Sequence, residues 1–224
     1  MALISIVGTA YSGKDTFGKM LAEELNKLQY PPYVMMAYAH ELKLRCQKDF
    51  DLSYEQLWGS EKEKNDLRYP RADYGFSSNP ADYLTGREIM QMYGQFFRTI
   101  DYDFWVKNLF KVIEEKEYTN VIITDVRHIN EADAVKEHKG FVIKIIREDK
   151  TTPHGESHIS ETALDNYKDF DFTVMNNSGL KELQDAAKDV VVFLQSIDAV
   201  PKAQLKSNEF STRTTQEKST REDF

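Results

Sequence analysis

Apolar and polar positions alternate along the chain between short apolar runs and amphipathic stretches, the pattern of an α/β protein. Leu3, Ile4, Ile6 and Val7 form a β-branched run that stops at Gly8, as a strand buried on both faces does. Phe17, Met20, Leu21, Leu25 and Leu28 then recur at helical spacing until Pro31-Pro32 breaks it. Tyr33–Ala39 reads as a second strand and His40–Phe50 as a second helix. Further strands are predicted at Val121–Ile123, Phe141–Ile146 and Phe172–Met175. A closing amphipathic helix runs through Leu180, Leu183, Ala187, Val190, Val191, Leu194 and Ile197.

The stretch from Asp51 to Tyr83 is different. Its periodicity is weak and its composition polar, with a charge run from Glu61 to Arg68 and with Pro70, Gly75, Ser77, Ser78 and Pro80, so we expect a mobile insertion outside the core. Arg68 and Arg71 either belong to its solvated surface or close over a phosphate. Order returns at Thr85, where Glu88 three residues later is a capping-box signal for a helix reaching about Arg98. Ile89, Met92 and Phe96 form its apolar stripe, while Arg87, Gln91, Gly94 and Arg98 share another face. A glycine inside a helix costs about 1 kcal/mol relative to alanine, so Gly94 implies close approach by a ligand or a neighbouring helix. Asp103 can cap the next helix, lined by Trp105, Leu109 and Val112. Trp105 is either core or a platform for a base. Near the end, Glu148–His158 reads as a lid loop, Ser160 can cap a short helix containing Glu161, and residues 202–224 form a polar tail expected to be disordered.

The chemistry is concentrated at the strand ends. Gly8-x-x-x-x-Gly13-Lys14 follows a strand and opens a helix, the arrangement in which backbone N–H groups close around phosphate and a lysine reaches its outer oxygens. Asp15 follows Lys14 where a hydroxyl residue is usual, with Thr16 next. Either can serve magnesium as a hard oxygen ligand, or Asp15 complements the positive end of the helix. Asp125 ends an apolar strand, the usual place for a carboxylate that organises magnesium. Arg127 and Glu131 lie one helical turn apart, as a surface ion pair or as a carboxylate orienting a guanidinium towards phosphate. Arg147 sits where the fourth strand ends.

The chain has 224 residues, a hydrophobic fraction of 41% and a formal charge of −8. Such a balance suits a globular protein and disfavours stable binding to nucleic-acid backbones, while leaving room for arginine clusters that hold small anions. Cys46 is the only cysteine, so an internal disulfide and a cysteine zinc cage are excluded. Neither a membrane span nor a signal peptide is legible, so a cytoplasmic protein is expected.

GTAYSGKDT, TGREIMQMYGQFFR, ITDVRHINEA and HISETALDNY together resemble the bacteriophage deoxynucleoside monophosphate kinases, over most of Ala2–Ile197. The resemblance implies a P-loop kinase fold in three layers, with a five-stranded, mostly parallel sheet and helices on both faces. It makes residues 1–199 one kinase domain, containing a helical insertion for the acceptor at 51–118 and a lid at 147–168, with a polar tail at 200–224. The implied reaction moves the γ-phosphoryl group of ATP, with Mg²⁺, onto a deoxynucleoside monophosphate to give the diphosphate. The setting implied is the cytoplasm, that of the host if the chain is phage-encoded, and a homodimer is allowed. Gly8, Ser12, Gly13, Lys14, Asp15, Thr16 and Arg147 would hold ATP and metal. Arg87, Gln91 and Gly94 would form the acceptor site, with Trp105 near the base, and Asp125, Arg127 and Glu131 would position the acceptor phosphate. Animal phosphomevalonate kinases and dephospho-CoA kinase look similar in part. A nucleotide-driven switch is a rival of another class, though it needs no second anion pocket.

Overall fold

The computed structural model describes residues 2–28, 31–70, 79–148, 164 and 166–201. Arg71, Ser160, Glu161, most of the expected lid and the tail at 202–224 lie outside the described residues.

Five strands, β1 (Ala2–Val7), β2 (Val34–Met36), β5 (Asn120–Val126), β6 (Phe141–Ile146) and β7 (Phe172–Met175), form one sheet in the order β2-β5-β1-β6-β7. Every neighbouring pair is parallel. The expected α/β sheet is therefore present and wholly parallel, and its crossover helices explain why: parallel neighbours cannot be joined by a tight turn. Alternation along the strands divides the core. Ile4, Ile6, Ile122, Ile143 and Ile145 face α1 (Lys14–Asn26) and the C-terminal helix α8 (Leu180–Ser196). Leu3, Val7, Val121, Ile123 and Val142 face α6 (Phe104–Glu115) and α7 (Ile129–Glu137) on the other side. Strands covered on both faces lose their polar alternation, which is why they read as continuous apolar runs.

Between β2 and β5 the chain builds α2 (Ala39–Phe50), α3 (Tyr54–Trp58), α4 (Glu61–Lys64), an antiparallel pair β3 (Leu67–Pro70) and β4 (Tyr83–Thr85), and α5 (Gly86–Ile100). The expectation of a loop outside the core is corrected for its described part. Leu52 and Leu57 are buried with Cys46 and Ile89 in a third apolar cluster. The elements are too short to show a period, but Ser53 and Ser60 cap α3 and α4 through reciprocal capping boxes. The Thr85–Glu88 capping box forms as read, with Thr85 N donating to Glu88 at 2.9 Å.

The stripe assigned to α5 is also corrected. Ile89 is buried, but Met92 and Phe96 are each 59% exposed, and the packed side of the helix carries Ile89, Met90 and Tyr93 instead. Asp103 stands at the start of α6 without capping it, because its carboxylate accepts from Asn130 Nδ2 at 3.0 Å. Arg68 meets Asp51 at the surface, at 3.2 Å, the solvated alternative of the two. Burial pushes the Cys46 thiol up to about 12, as befits a small apolar residue on a helix.

Candidate active site

A parallel sheet brings the carboxyl ends of its strands to one edge, and here that edge gathers five segments that lie far apart in the chain. The first is the glycine loop after β1. Tyr11 and Gly13 take left-handed backbone conformations, φ 63° and 92°, which fold residues 8–13 back over the start of α1. Lys14 is 8% exposed, and Ser12 is 1% exposed with a hydroxyl that has no hydrogen-bond partner. Asp15 and Thr16 are exposed in the first turn of α1, so both remain available as metal ligands.

The end of β5 lies beside this loop. Asp125 uses both oxygens to hold the start of α2, accepting from Tyr38 N at 2.7 Å and Ala39 N at 2.9 Å. Burial raises its carboxyl, while those two N–H groups and the charges of Arg127 and Lys43 oppose the rise. Glu131, 2% exposed, does not pair as the sequence suggested. Its carboxylate accepts from Arg127 N at 2.8 Å, His128 N at 3.1 Å and the Arg98 guanidinium at 3.0 Å. Its backbone carbonyl accepts from Tyr38 Oη at 3.0 Å. Burial pushes the Glu131 carboxyl up to about 7, against the pull of the Arg127 N–H and Arg98. The start of α2, the end of β5, α5 and α7 are thus tied at one buried residue, Glu131, through its carboxylate and its backbone carbonyl.

Gly8 and Thr9 share a cleft of about 250 Å³ with Arg127, Lys144 and Arg147, so the loop and the arginines after β5 and β6 meet in one space. On the insertion side, Arg87 bonds Glu61 and, at 3.2 Å, Asn65 Oδ1. Tyr11 at the loop tip lies against the same Glu61. Desolvation and then the Glu61 carboxylate push its phenol above the usual value. Arg87 therefore stands across the tip of the phosphate loop, paired with a carboxylate in this state.

Gly94 and Trp105 serve packing. A Cβ on Gly94 would come 3.5 Å from Leu42 and 3.3 Å from the Arg98 guanidinium, so the gap is filled by α2 and by Arg98. Trp105 is 3% exposed, its Nε1 donates to Gly94 O at 3.1 Å, and it packs edge-on against Phe97 and Phe104. Of the two readings, core is the one observed. Gln91 is half-buried beside these residues.

Two contributors were missed in the sequence. Lys43, one turn beyond Ala39 on α2, makes no ion pair among the described residues, and its ammonium lies 5.5 Å from the centre of the Trp58 ring. Burial, Lys64 and Arg127 hold it below the usual lysine range, against Asp125 and Asp15. Its signal was a basic residue placed four positions after a strand-end helix start, where i and i+4 share a face. The second is Asn176 after β7, whose Nδ2 donates to Ser12 O at 2.8 Å. Only the parallel alignment of β7 with β6 reveals that it reaches the loop.

A family model described as deoxynucleotide monophosphate kinase matches residues 60–187. A protein of Acanthamoeba polyphaga mimivirus, provisionally named a deoxynucleotide monophosphate kinase, is 31% identical over 190 residues, covering 81% of this chain and 92% of its own. The chain belongs to the deoxynucleotide monophosphate kinase family. It is accordingly a phosphotransferase. Among solved structures, shikimate kinase from Aquifex aeolicus is 18% identical with a TM-score of 0.45, covering 88% of this chain and 98% of its own. Dephospho-CoA kinase from Campylobacter jejuni is 11% identical with a TM-score of 0.47 and the same two coverages. At these values neither adds to what strand order already establishes for the kinase. No helix among the described residues is long and apolar enough to cross a membrane.

Proposed function

We propose that this kinase transfers the γ-phosphoryl group of ATP to a deoxynucleoside monophosphate, giving the deoxynucleoside diphosphate and ADP, in the cytoplasm. Family membership supports the reaction class. The observation that carries the reading is the single cleft in which Gly8 and Thr9 of the phosphate loop meet Arg127 and Arg147.

The N–H groups of residues 8–14 and the Lys14 ammonium would cradle the ATP phosphates, and the buried Ser12 hydroxyl would find its missing partner there. The residues fit magnesium as it usually accompanies ATP. No group of three acidic or imidazole side chains forms a metal cage among the described residues, whereas Asp15 and Thr16 present one or two oxygens beside the phosphate loop. An ion held mainly by substrate phosphates and water needs no more. Bound with ATP, magnesium would neutralise charge on the phosphates. Arg147 would reach the donor side, and Arg127 the space between donor and acceptor.

Arg87, Gln91 and Lys43 would take the acceptor, with Arg87 leaving Glu61 for its phosphate. An exposed ion pair is worth little, so a phosphate that accepts the guanidinium fork and carries more charge than a carboxylate would displace Glu61. Gly94, Trp105, Asp125 and Glu131 then act by holding α5, α2 and the β5 end in place. An acceptor phosphate oxygen is already an anionic nucleophile, so the residues need only align it and neutralise charge, without a general base.

The test is ATP-to-ADP conversion with magnesium across a panel of nucleoside and deoxynucleoside monophosphates, with a no-acceptor control. Turnover that depends on a deoxynucleoside monophosphate is expected. Slow hydrolysis indifferent to any acceptor would overturn the proposal.

A further inference from the structure

We infer that the consecutive asparagines Asn176 and Asn177 are positioning residues of the donor site, one shaping the phosphate loop and the other the wall that bears Arg147. The inference rests on the reading that residues 8–14 receive the phosphates of ATP.

Asn176 continues the β6–β7 ladder one step past the end of β7, its backbone N–H donating to Ile146 O at 2.8 Å. The sheet thus sets where its side chain begins. From there the buried amide donates to Ser12 O at 2.8 Å. The partner is a carbonyl, so the bonding group must be the amide nitrogen, and the orientation follows without choice. A peptide unit is planar and trans, with its C=O and N–H pointing in opposite directions. Holding the Ser12 carbonyl outward therefore turns the Gly13 N–H inward, towards the space the loop encloses. Gly13 is matched to this contact twice. Its φ of 92° suits glycine, and any Cβ there would collide with the Asn176 amide.

Asn177 faces the other way. Glu148 N donates to Asn177 Oδ1 at 3.1 Å, and Asn177 Nδ2 donates to Glu148 Oε2 at 2.9 Å. Glu148 follows Arg147, which lines the cleft with Gly8 and Thr9. One dipeptide thereby sets the loop and the Arg147 wall relative to each other. No apolar packing requires amides at these positions. Their partners are one loop carbonyl and one residue beside the cleft.

The experiment uses the full chain and three variants, Asn176→Asp, Asn176→Ala and Asn177→Ala. ATP affinity is measured by calorimetric titration without acceptor, together with kcat, both KM values and Tm. In Asn176→Asp the lost donor and the added carboxylate facing a carbonyl should weaken ATP binding about 30-fold or more, and Asn176→Ala should weaken it about tenfold. The acceptor KM should stay within about twofold in both, a split that a general folding defect does not produce. Asn177→Ala, which releases the wall bearing Arg147, should weaken ATP binding about threefold and lose about fivefold in kcat, again with the acceptor KM within about twofold. If Asn176→Asp fails to fold, Asn176→Ala carries the test. Unchanged ATP affinity in a folded Asn176 variant, or equal losses for ATP and acceptor, would overturn the inference. A wild-type chain that binds no ATP would instead overturn the reading of the loop on which it rests.

Discussion

The proposed donor side and the proposed acceptor side of this kinase are built in opposite ways. On the donor side the central chemistry lies in nine consecutive residues, Gly8 to Thr16, whose loop geometry follows from glycine spacing and from the helix that begins at Lys14. On the proposed acceptor side, Lys43, Glu61 and Arg87 come from three helices, and α5, which carries Arg87, is tied to a fourth by the bond of Arg98 to the buried Glu131 carboxylate. A contiguous motif is set by local backbone preference, so one substitution there removes function and leaves the fold. A dispersed site depends on long-range ties, so removing a buried tie such as Glu131 costs function and stability together.

The sharpest way to test that contrast is Lys14→Ala. Removing the cation that reaches the outer phosphates should lower kcat about 10³-fold or more, roughly 4 kcal/mol of barrier, with Tm preserved. Near-normal turnover in the folded variant would refute the loop assignment. Glu131→Ala should do the reverse. Its loss strands a nearly buried guanidinium, 16% exposed, and two N–H groups, at about 3 kcal/mol of stability by chemical denaturation. A fully stable variant would show that the carboxylate's bonds to Arg98 and the two N–H groups are dispensable.

Lys43→Met should raise the acceptor KM about 30-fold with the ATP KM within about twofold, as expected of a cation that meets only the acceptor. An effect confined to ATP would move Lys43 to the donor side. Arg87→Ala should raise the acceptor KM about tenfold and leave Tm nearly unchanged, because its pair with Glu61 is exposed. Equal effects on both substrates would mean that α5 does not face the acceptor.

The smallest effect concerns pH. Glu131 holds its proton more tightly in the folded chain, with a value near 7 against 4.5, so between those values the folded state binds more protons than the unfolded one. The stability this group contributes is present below pH 4.5 and is lost as pH rises towards 7. Replacement by glutamine should remove that slope, read as the difference between the pH profiles of Tm for the two proteins. Parallel profiles would show that Glu131 stays ionised throughout.

How far the sequence reading carried depended on the range of the interactions involved. Where a face is buried by period, as in β1, β5, β6 and α8, the apolar spacing was sufficient, and the Thr85–Glu88 capping box was legible because its partners are three residues apart. The stripe on α5 was misread because a 15-residue helix with aromatic residues on several sides has more than one candidate face, and Met90 and Tyr93 are selected by Leu42 and Phe50 of α2. Asp125, Arg127 and Glu131 were rightly placed at one edge of the sheet. Their bonds were not legible, because the Arg98 guanidinium reaches the Glu131 carboxylate from 33 residues away and the Tyr38 N–H reaches the Asp125 carboxylate from 87.

By itself, then, the amino-acid order determined the parallel α/β architecture, the glycine loop between β1 and α1 and the strand ends to which we assign the chemistry. Each follows from periodicity, glycine spacing or capping within a few residues. Tertiary structure alone decided that Trp105 is core, that Arg98 pairs with Glu131, that Lys43 feels the charges of Asp125 and Arg127 and that Asn176 bonds the loop. Those outcomes turn on which distant groups reach a buried donor or acceptor first, and burial makes that choice costly to leave unmade.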